Sequence, residues 1–170
     1  KRIGAVIGLA FLLAACFSCS GVTPGASAGE DLIKLLPKGS LGVLAVDVHR
    51  ALATEAAAKT LQDPKAKEKL DEFVKMSGID PVKDISYLGI GFSPGAGGGE
   101  AEGGIVVSLR YDRDKLQGLI KDKAPEAREE LYNGVAVYSR LDGKGVKPGL
   151  QAAFLDAGHI VLGSEKGVKG

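Results

Sequence analysis

The stretch SYLGIGF at residues 86–92, followed by IVVSLRY at residues 105–111, decides the fold that this sequence predicts. Apolar side chains recur at every second position in both stretches, which is typical of β-strands that bury one face. Segment 95–104 between them is rich in glycine, so we expect the two strands to form a hairpin. On the other face of the first strand, Gly89 and Gly91 leave room for an apolar guest.

Upstream of this hairpin, the run LGVLAVDV at residues 41–48 is apolar at almost every position. Such runs are typical of strands buried on both faces, so the run predicts a strand in the middle of the sheet. The alanine-rich residues 49–61 favour a helix. A second helix is marked more clearly, because Asp63 can serve as its N-cap, Pro64 suits the first helical position, and Gly78 ends it.

Downstream of the hairpin, the sequence predicts a third helix, one strand that follows a tight turn, and a final hairpin. Asp112 is placed to cap the helix. Asn133 and Gly134 form a dipeptide typical of a tight turn between strands. The segments concerned are the helix that ends near Pro125, residues 129–132 before the turn, the strand 135–140 after it, and the final hairpin of 150–156 with 159–163.

These elements predict an α+β fold with a mainly antiparallel sheet and helices on one face. Their order is compatible with a ferredoxin-like split β-α-β arrangement plus an added hairpin. We expect residues 32–170 to form a single domain. Ser164 and Glu165 resemble a helix start that the end of the chain leaves too short, so we expect a truncated C-terminus.

The N-terminus has the pattern of an export signal. Lys1 and Arg2 precede a thirteen-residue apolar run that ends in small residues at Ala15. A transmembrane helix is a poorer interpretation, because crossing the hydrocarbon core takes about 20 apolar residues. A helix buried in a soluble core is the other alternative, but it would leave the two cations and the Ala15-Cys16 ending unexplained.

The tetrapeptide Leu-Ala-Ala-Cys at residues 13–16 resembles the lipobox of bacterial lipoproteins. The resemblance implies cleavage between Ala15 and Cys16, which removes residues 1–15 as a signal peptide. It also implies that the Cys16 thiol receives a diacylglyceryl group and anchors the protein in the membrane. The expected location is therefore the bacterial cell envelope, on the periplasmic or outer-membrane side. Residues 16–31 would hold the lipid and form a flexible tether, since they are rich in Ser, Gly, Ala, Thr and Pro.

Cys16 and Cys19 also have the C-x-x-C spacing of redox pairs and zinc half-sites. A lipid on Cys16 would prevent a disulfide, and no second pair of ligands lies nearby in the sequence to complete a zinc shell. We therefore interpret Cys19 as a leftover thiol, and we predict no cofactor and no metal.

A longer pattern, from LLPKGS at residues 35–40 to YNGVAVY at residues 132–138, resembles exported bacterial proteins of domain-of-unknown-function type. That resemblance implies no activity.

Charge and composition argue against a nucleic-acid partner. The net charge is +1, so the chain lacks the basic field on which nucleic-acid binding depends. Aromatic residues make up 5% of the chain and tryptophan is absent, which excludes an extended stacking platform.

Asp47 and His49 are the only side chains that suggest a reactive site. They lie two positions apart at the end of a predicted strand, so they could share a proton or a metal ion. We favour a structural interpretation in which Asp47 caps the following helix and His49 lies in its first turn. No G-x-S-x-G, H-E-x-x-H or Walker pattern occurs, so we assign no catalytic residue.

Three functions remain open. We favour a lipid-anchored, non-catalytic module that binds an envelope protein or a small ligand. The first alternative is an envelope assembly or lipid-handling factor that uses the glycine-lined sheet face at Gly89 and Gly91. The second is a hydrolase or metal-dependent enzyme with a site near Asp47 and His49.

Overall fold

The computed structural model describes residues 31–93, 102–141 and 149–170. The predicted signal peptide, Cys16, Cys19 and the tether up to residue 30 lie outside these residues, as does most of the glycine-rich segment. In the described part of the chain, no helix combines the length and the apolar character needed to cross a membrane.

The described residues form one seven-stranded sheet in the order β1-β2-β3-β7-β6-β5-β4. Every neighbouring pair of strands is antiparallel. The strands are β1 (Gly42–Asp47), β2 (Ile85–Ser93), β3 (Glu102–Leu109), β4 (Arg128–Tyr132), β5 (Val135–Ser139), β6 (Gln151–Phe154) and β7 (His159–Gly163).

Each helix begins where a polar side chain caps its free amide groups. Asp63, for example, accepts hydrogen bonds from the backbone N–H groups of Lys65 and Ala66, at 2.8 and 3.1 Å. Gly78 ends the same helix with a φ of 76°, as its position in the sequence predicted. A helical turn at residues 31–34 precedes β1. The helices are α1 (Val48–Leu52), α2 (Glu55–Gln62), α3 (Pro64–Ser77), α4 (Pro81–Asp84), α5 (Arg113–Lys123) and α6 (Glu165–Lys169).

The two predicted hairpins are confirmed, and the strand predicted after the Asn133-Gly134 turn forms as β5 and pairs with β4. β2 pairs with β3, β4 with β5, and β6 with β7. Asn133 and Gly134 join β4 to β5 with φ values of 50° and 81°, which is the left-handed geometry of a tight hairpin turn. The α6 helix was not expected to form, yet Ser164 caps it and Gly167 lies within it.

The protein therefore has the predicted α+β fold with an antiparallel sheet. The finer ferredoxin-like arrangement differs from the structure. In a split β-α-β unit, the two strands joined by a helix run parallel with another strand between them. Here the helices α1 to α4 join β1 to β2, and these two strands are direct antiparallel neighbours.

The prediction that 41–48 forms a central strand is wrong, because β1 lies at the edge of the sheet that the described residues form and has β2 as its one neighbour among them. Val43 and Leu44 remain 45% and 39% exposed. An apolar run indicates that its side chains favour contact with other apolar groups, but it does not specify which element supplies that contact. Here the described part of the chain leaves much of the run uncovered.

The helices lie on both faces of the sheet, whereas the sequence predicted one. Side chains from α1, α3 and α5 pack on the first face, which we call the helix-bearing face. Its buried core consists of Val48, Ile79, Ile85, Leu88, Val107, Leu109, Ala136, Tyr138, Phe154 and Ile160.

The second face, which we call the strap face, is apolar as well. Its central side chains, Val106, Val137 and Val161, are at most 3% exposed. Leu32 and Leu36 from the segment before β1 cover them, with Val168 of α6 packed at the margin. Strands that are apolar on both faces need a covering layer on each face. Helices on one face, as the sequence predicted, would leave the apolar strap face exposed to water.

A row of glycines lets this second cover approach the sheet closely. Gly91, Gly104 and Gly163 lie side by side on β2, β3 and β7. A methyl group added at Gly104 would meet the backbone carbonyl of Gly167 in α6. The five-residue helix therefore packs backbone to backbone on the sheet, which only glycine permits.

We expect Gly104→Ala to lower the free energy of unfolding by about 1–3 kcal/mol, because the added methyl forces α6 away from the sheet. Gly118→Ala is the matched control, since Gly118 lies in α5 with no atom within 4 Å of an added Cβ. The control should gain about 0.5–1 kcal/mol from the better helix propensity of alanine. Denaturant unfolding of the three proteins measures both changes. Equal stability of the two variants would contradict the close packing of α6.

Candidate functional site

Asp47 and His49 do not form a site together. The strand ends at Asp47, whose carboxylate accepts a hydrogen bond from the backbone N–H of Arg50 at 3.0 Å and caps α1. His49 lies in the first turn of α1 and is exposed. The chain changes from strand to helix between them, so the alternation that would place both side chains on one face does not apply. The structure bears out the capping role that we favoured for Asp47.

The strand register instead places four polar residues in one row across the strap face. Asp47 lies opposite Tyr87, Tyr87 opposite Ser108, and Ser108 opposite His159. Neighbouring strands are about 4.8 Å apart, so the β1 and β7 ends of this row are separated by about 14 Å. Asp47 and His159 are therefore too far apart to hold one ion.

His159 has a closer partner that sequence reasoning missed. Its ring Nδ1 lies 2.9 Å from each carboxylate oxygen of Asp156. Asp156 also accepts a hydrogen bond from the backbone N–H of Gly158 at 2.7 Å. The spacing Asp-x-x-His across a tight turn was the available signal, because a turn brings residues three apart together.

An Asp-His pair with Ser108 on the neighbouring strand contains the residue types of a hydrolytic triad. Its setting does not suit that chemistry. Ser108 is half-buried within β3 and has strands on both sides, whereas a nucleophilic serine sits on an exposed turn beside oxyanion donors. The pair acts instead as a clamp that holds the β6–β7 turn.

Hydrogen bonding at this clamp controls the pKa of Asp156. Burial works to raise the pKa of the carboxyl, but the Gly158 amide and the His159 ring favour the charged form more strongly. The pKa of Asp156 therefore lies below its ordinary value. The backbone carbonyl of Asp156 also accepts a hydrogen bond from the Tyr111 hydroxyl, whose own pKa is raised mainly by burial.

An aromatic cluster packs beside the clamp on the helix-bearing face. The ring of Phe154 meets those of Tyr138 and Tyr111 at centroid distances of 5.5 and 5.8 Å. The Arg113 guanidinium lies over the same ring at 5.6 Å. These contacts fix the start of α5 against β6.

The described residues contain no group of three or more His, Cys, Asp or Glu side chains that could hold a metal ion. An open depression of about 450 Å³ lies between α2 and α3. Its lining includes Lys59, Lys65 and Lys69, but the Asp63 carboxylate already accepts the free amides of α3 there. The amides that would bind an anion are therefore occupied.

The space above Gly89 and Gly91 is also filled. A methyl group at Gly89 would lie 2.8 Å from Leu32, and one at Gly91 would lie 2.7 Å from the Ser40 hydroxyl. The apolar guest expected on this face is thus the chain's own segment before β1. No open glycine-lined surface remains there.

The β1 edge carries the largest group of exposed large apolar side chains beside an edge strand in the described part of the chain. We call it the β1 edge surface and define it as Leu41, Val43, Leu44 and Phe92, which are 78%, 45%, 39% and 52% exposed. Within β1 the only charged residue is Asp47, at its end.

The opposite edge, β4, differs sharply in charge. It begins with Arg128, Glu129 and Glu130, and the Lys169 ammonium of α6 pairs with Glu130 and lies over the Tyr132 ring. Charged side chains on an edge strand disfavour pairing with other strands. The β4 edge is therefore protected, although Leu131 is 78% exposed.

Comparisons with protein-family models, curated proteins and solved structures find no match to this chain.

We expect Asp156→Asn to reduce the pH dependence of stability in acid. A carboxyl whose pKa is lowered by folding stabilises the protein above its unfolded pKa of 3.8, and this contribution is lost as pH falls through the folded value. The difference from wild type at pH 7 should stay below about 1 kcal/mol, because the carboxylate is partly exposed and screened.

Thermal unfolding of both proteins between pH 7 and pH 3 measures this effect. Asp122→Asn is the control, since Asp122 is an exposed carboxylate on α5 away from the clamp. If the Asp156→Asn protein lost as much stability in acid as wild type, the clamp would contribute nothing.

Proposed function

We propose that this chain is a lipid-anchored interaction module of the bacterial cell envelope that binds a protein partner through the β1 edge surface. The anchor would be the lipid on Cys16, and residues 16–31 would tether the domain to it. The resemblance of residues 13–16 to a lipobox supports the anchor. The contrast between the two edges of the sheet supports the binding mode.

The β1 edge, to which no described strand adds beyond β2, is the observation that carries this proposal. An edge strand presents a row of unpaired N–H and C=O groups, and proteins protect such edges with charges, prolines or bulges. Residues 42–46 have neither a charge nor a proline, and their pairing with β2 is regular. An apolar edge of this kind suits the addition of a partner's extended strand, in which main-chain hydrogen bonds give affinity.

The two alternative functions have less support. A lipid-handling site on the glycine-lined face would need Leu32 and Leu36 to leave, since they cover that face. An enzyme site near Asp47 would need a nearby partner, and His49 and His159 both lie elsewhere. A binding surface at the β1 edge requires neither the departure of Leu32 and Leu36 nor a second reactive side chain near Asp47.

The lipid explains how a small domain would stay at the membrane. Each buried methylene contributes about 0.8 kcal/mol, so one acyl chain binds marginally whereas two or more hold a protein stably. A diacylglyceryl group on Cys16 meets that requirement. The domain would then work within reach of the bilayer surface.

We expect the full-length protein, expressed in a bacterial host, to incorporate a clickable fatty acid and to enter the detergent phase on partitioning. Cys16→Ala should abolish both, because it removes the acceptor thiol. Cys19→Ala is the matched control and should retain both. Intact mass should place the mature N-terminus at Cys16. Incorporation of the fatty acid into the Cys16→Ala protein would contradict lipid attachment at Cys16. A native protein that keeps residues 1–15 would contradict it as well.

We expect a benzophenone amino acid at Leu44 to form a discrete crosslinked product in intact cells, because a partner strand would lie against it. The same group at Leu131 is the control on the protected edge. Leu131 is 78% exposed and Leu44 only 39%, so random collisions would favour the control. Equal or stronger crosslinking from Leu131, seen on denaturing gels, would contradict binding at the β1 edge.

A further inference from the structure

We infer that the partner at the β1 edge surface is a second copy of this chain. Two β1 strands would pair antiparallel about a twofold axis perpendicular to the sheet, which joins two seven-stranded sheets into one. This inference rests on the proposed function and names the partner of the same surface. Three observations support it: the sequence of β1, the face of the sheet on which the segment before β1 packs, and the size of the β1 edge surface.

The sequence of β1 is complementary to itself. A register centred on Leu44 places it opposite Leu44 of the second copy, with Val43 opposite Ala45 and Gly42 opposite Val46. Residues directly opposite each other in an antiparallel pair share a face, and each of these pairs does so. All five residues are uncharged, and Asp47 falls outside the paired run at each end, so like charges do not meet.

The twofold axis also suits the membrane anchor. Leu32 and Leu36, which follow the tether in sequence, pack on the strap face of the sheet. An axis perpendicular to the sheet keeps the strap face of both copies on the same side. The segment before β1 then lies on the same side of the joined sheet in both copies, from which both lipids would reach one bilayer. An axis that inverted one sheet would place the two segments on opposite sides.

The size of the surface predicts that the dimer depends on the anchor. A run of five residues is about 17 Å long. Stable interfaces bury about 1,200–2,000 Å² in total, which a single strand pair with Leu41 and Phe92 at its flank does not reach. The pairing would therefore be weak between free domains. Two lipid anchors in one membrane raise the effective concentration and make a weak pairing sufficient.

Disulfide trapping in bacterial membranes tests this inference on the full, lipidated chain. Leu44→Cys is introduced together with Cys19→Ala, so that the introduced cysteine has the only free thiol once Cys16 bears its lipid through a thioether. Directly opposite residues in an antiparallel pair have Cα atoms about 4.5–5.5 Å apart, within the range that a disulfide spans. After mild oxidation we expect a disulfide-linked species of twice the chain mass, containing both of two differently tagged copies.

Leu131→Cys in the same background is the control, and its thiol would be the more exposed one. We expect it to crosslink at least about tenfold less, because no paired strand raises its local concentration. Adding Cys16→Ala to the Leu44→Cys protein should also remove the dimer. Thermal unfolding confirms that each variant folds as wild type does.

The outcomes separate this inference from the proposed function. Crosslinking from Leu131→Cys as fast as from Leu44→Cys would overturn the dimer, because it would indicate collision alone. A disulfide or photo-crosslink from position 44 only to a different protein would overturn the dimer and leave the interaction function standing. Absence of any product from position 44 by both methods would overturn both.

Discussion

The antiparallel pairing of β3 with β7 is the interaction on which the rest of this structure depends. It joins a three-stranded unit, β1 to β3, to a four-stranded meander, β4 to β7. Five residue pairs form it, from Gly104 opposite Gly163 to Ser108 opposite His159. About fifty residues separate the two strands, so the pairing costs chain entropy that burial on both faces of the joined sheet must offset.

The glycine row across this junction determines how that burial is achieved. With Gly104 and Gly163 on the strap face, the backbone of α6 can touch the sheet, and Leu32 and Leu36 fill the remaining space. The longer helices cover the other face. Described parts of the chain thereby cover both faces of the central strands, whereas side chains of the edge strand β1 stay partly exposed. The binding that we propose uses this edge.

The anchor and the open edge complement each other physically. A five-residue edge offers too little area for a durable contact between freely diffusing domains. A lipid would restrict the domains to one membrane surface, which lowers the entropic cost of association. The proposed attachment at Cys16 and the uncharged run at residues 42–46 would therefore support the proposed binding together.

The sequence by itself determined the local structure of this protein. Caps such as Asp63 and Asp112, the αL glycine at Gly78 and the Asn133-Gly134 turn act within a few residues, so composition and spacing suffice to find them. Asp47 followed the same rule and became a cap rather than half of a reactive pair. The α+β class follows from these elements.

Only the tertiary structure decided which strands are neighbours and which surfaces stay open. An apolar run such as 41–48 has the same composition whether it lies between two layers or along an edge. The free energy gained by moving its side chains out of water depends on those side chains and not on which element covers them. The row through Ser108 likewise exists because β7 pairs with β3, which is a contact distant in sequence. Such contacts depend on the energy of the whole sheet, and no local pattern encodes them.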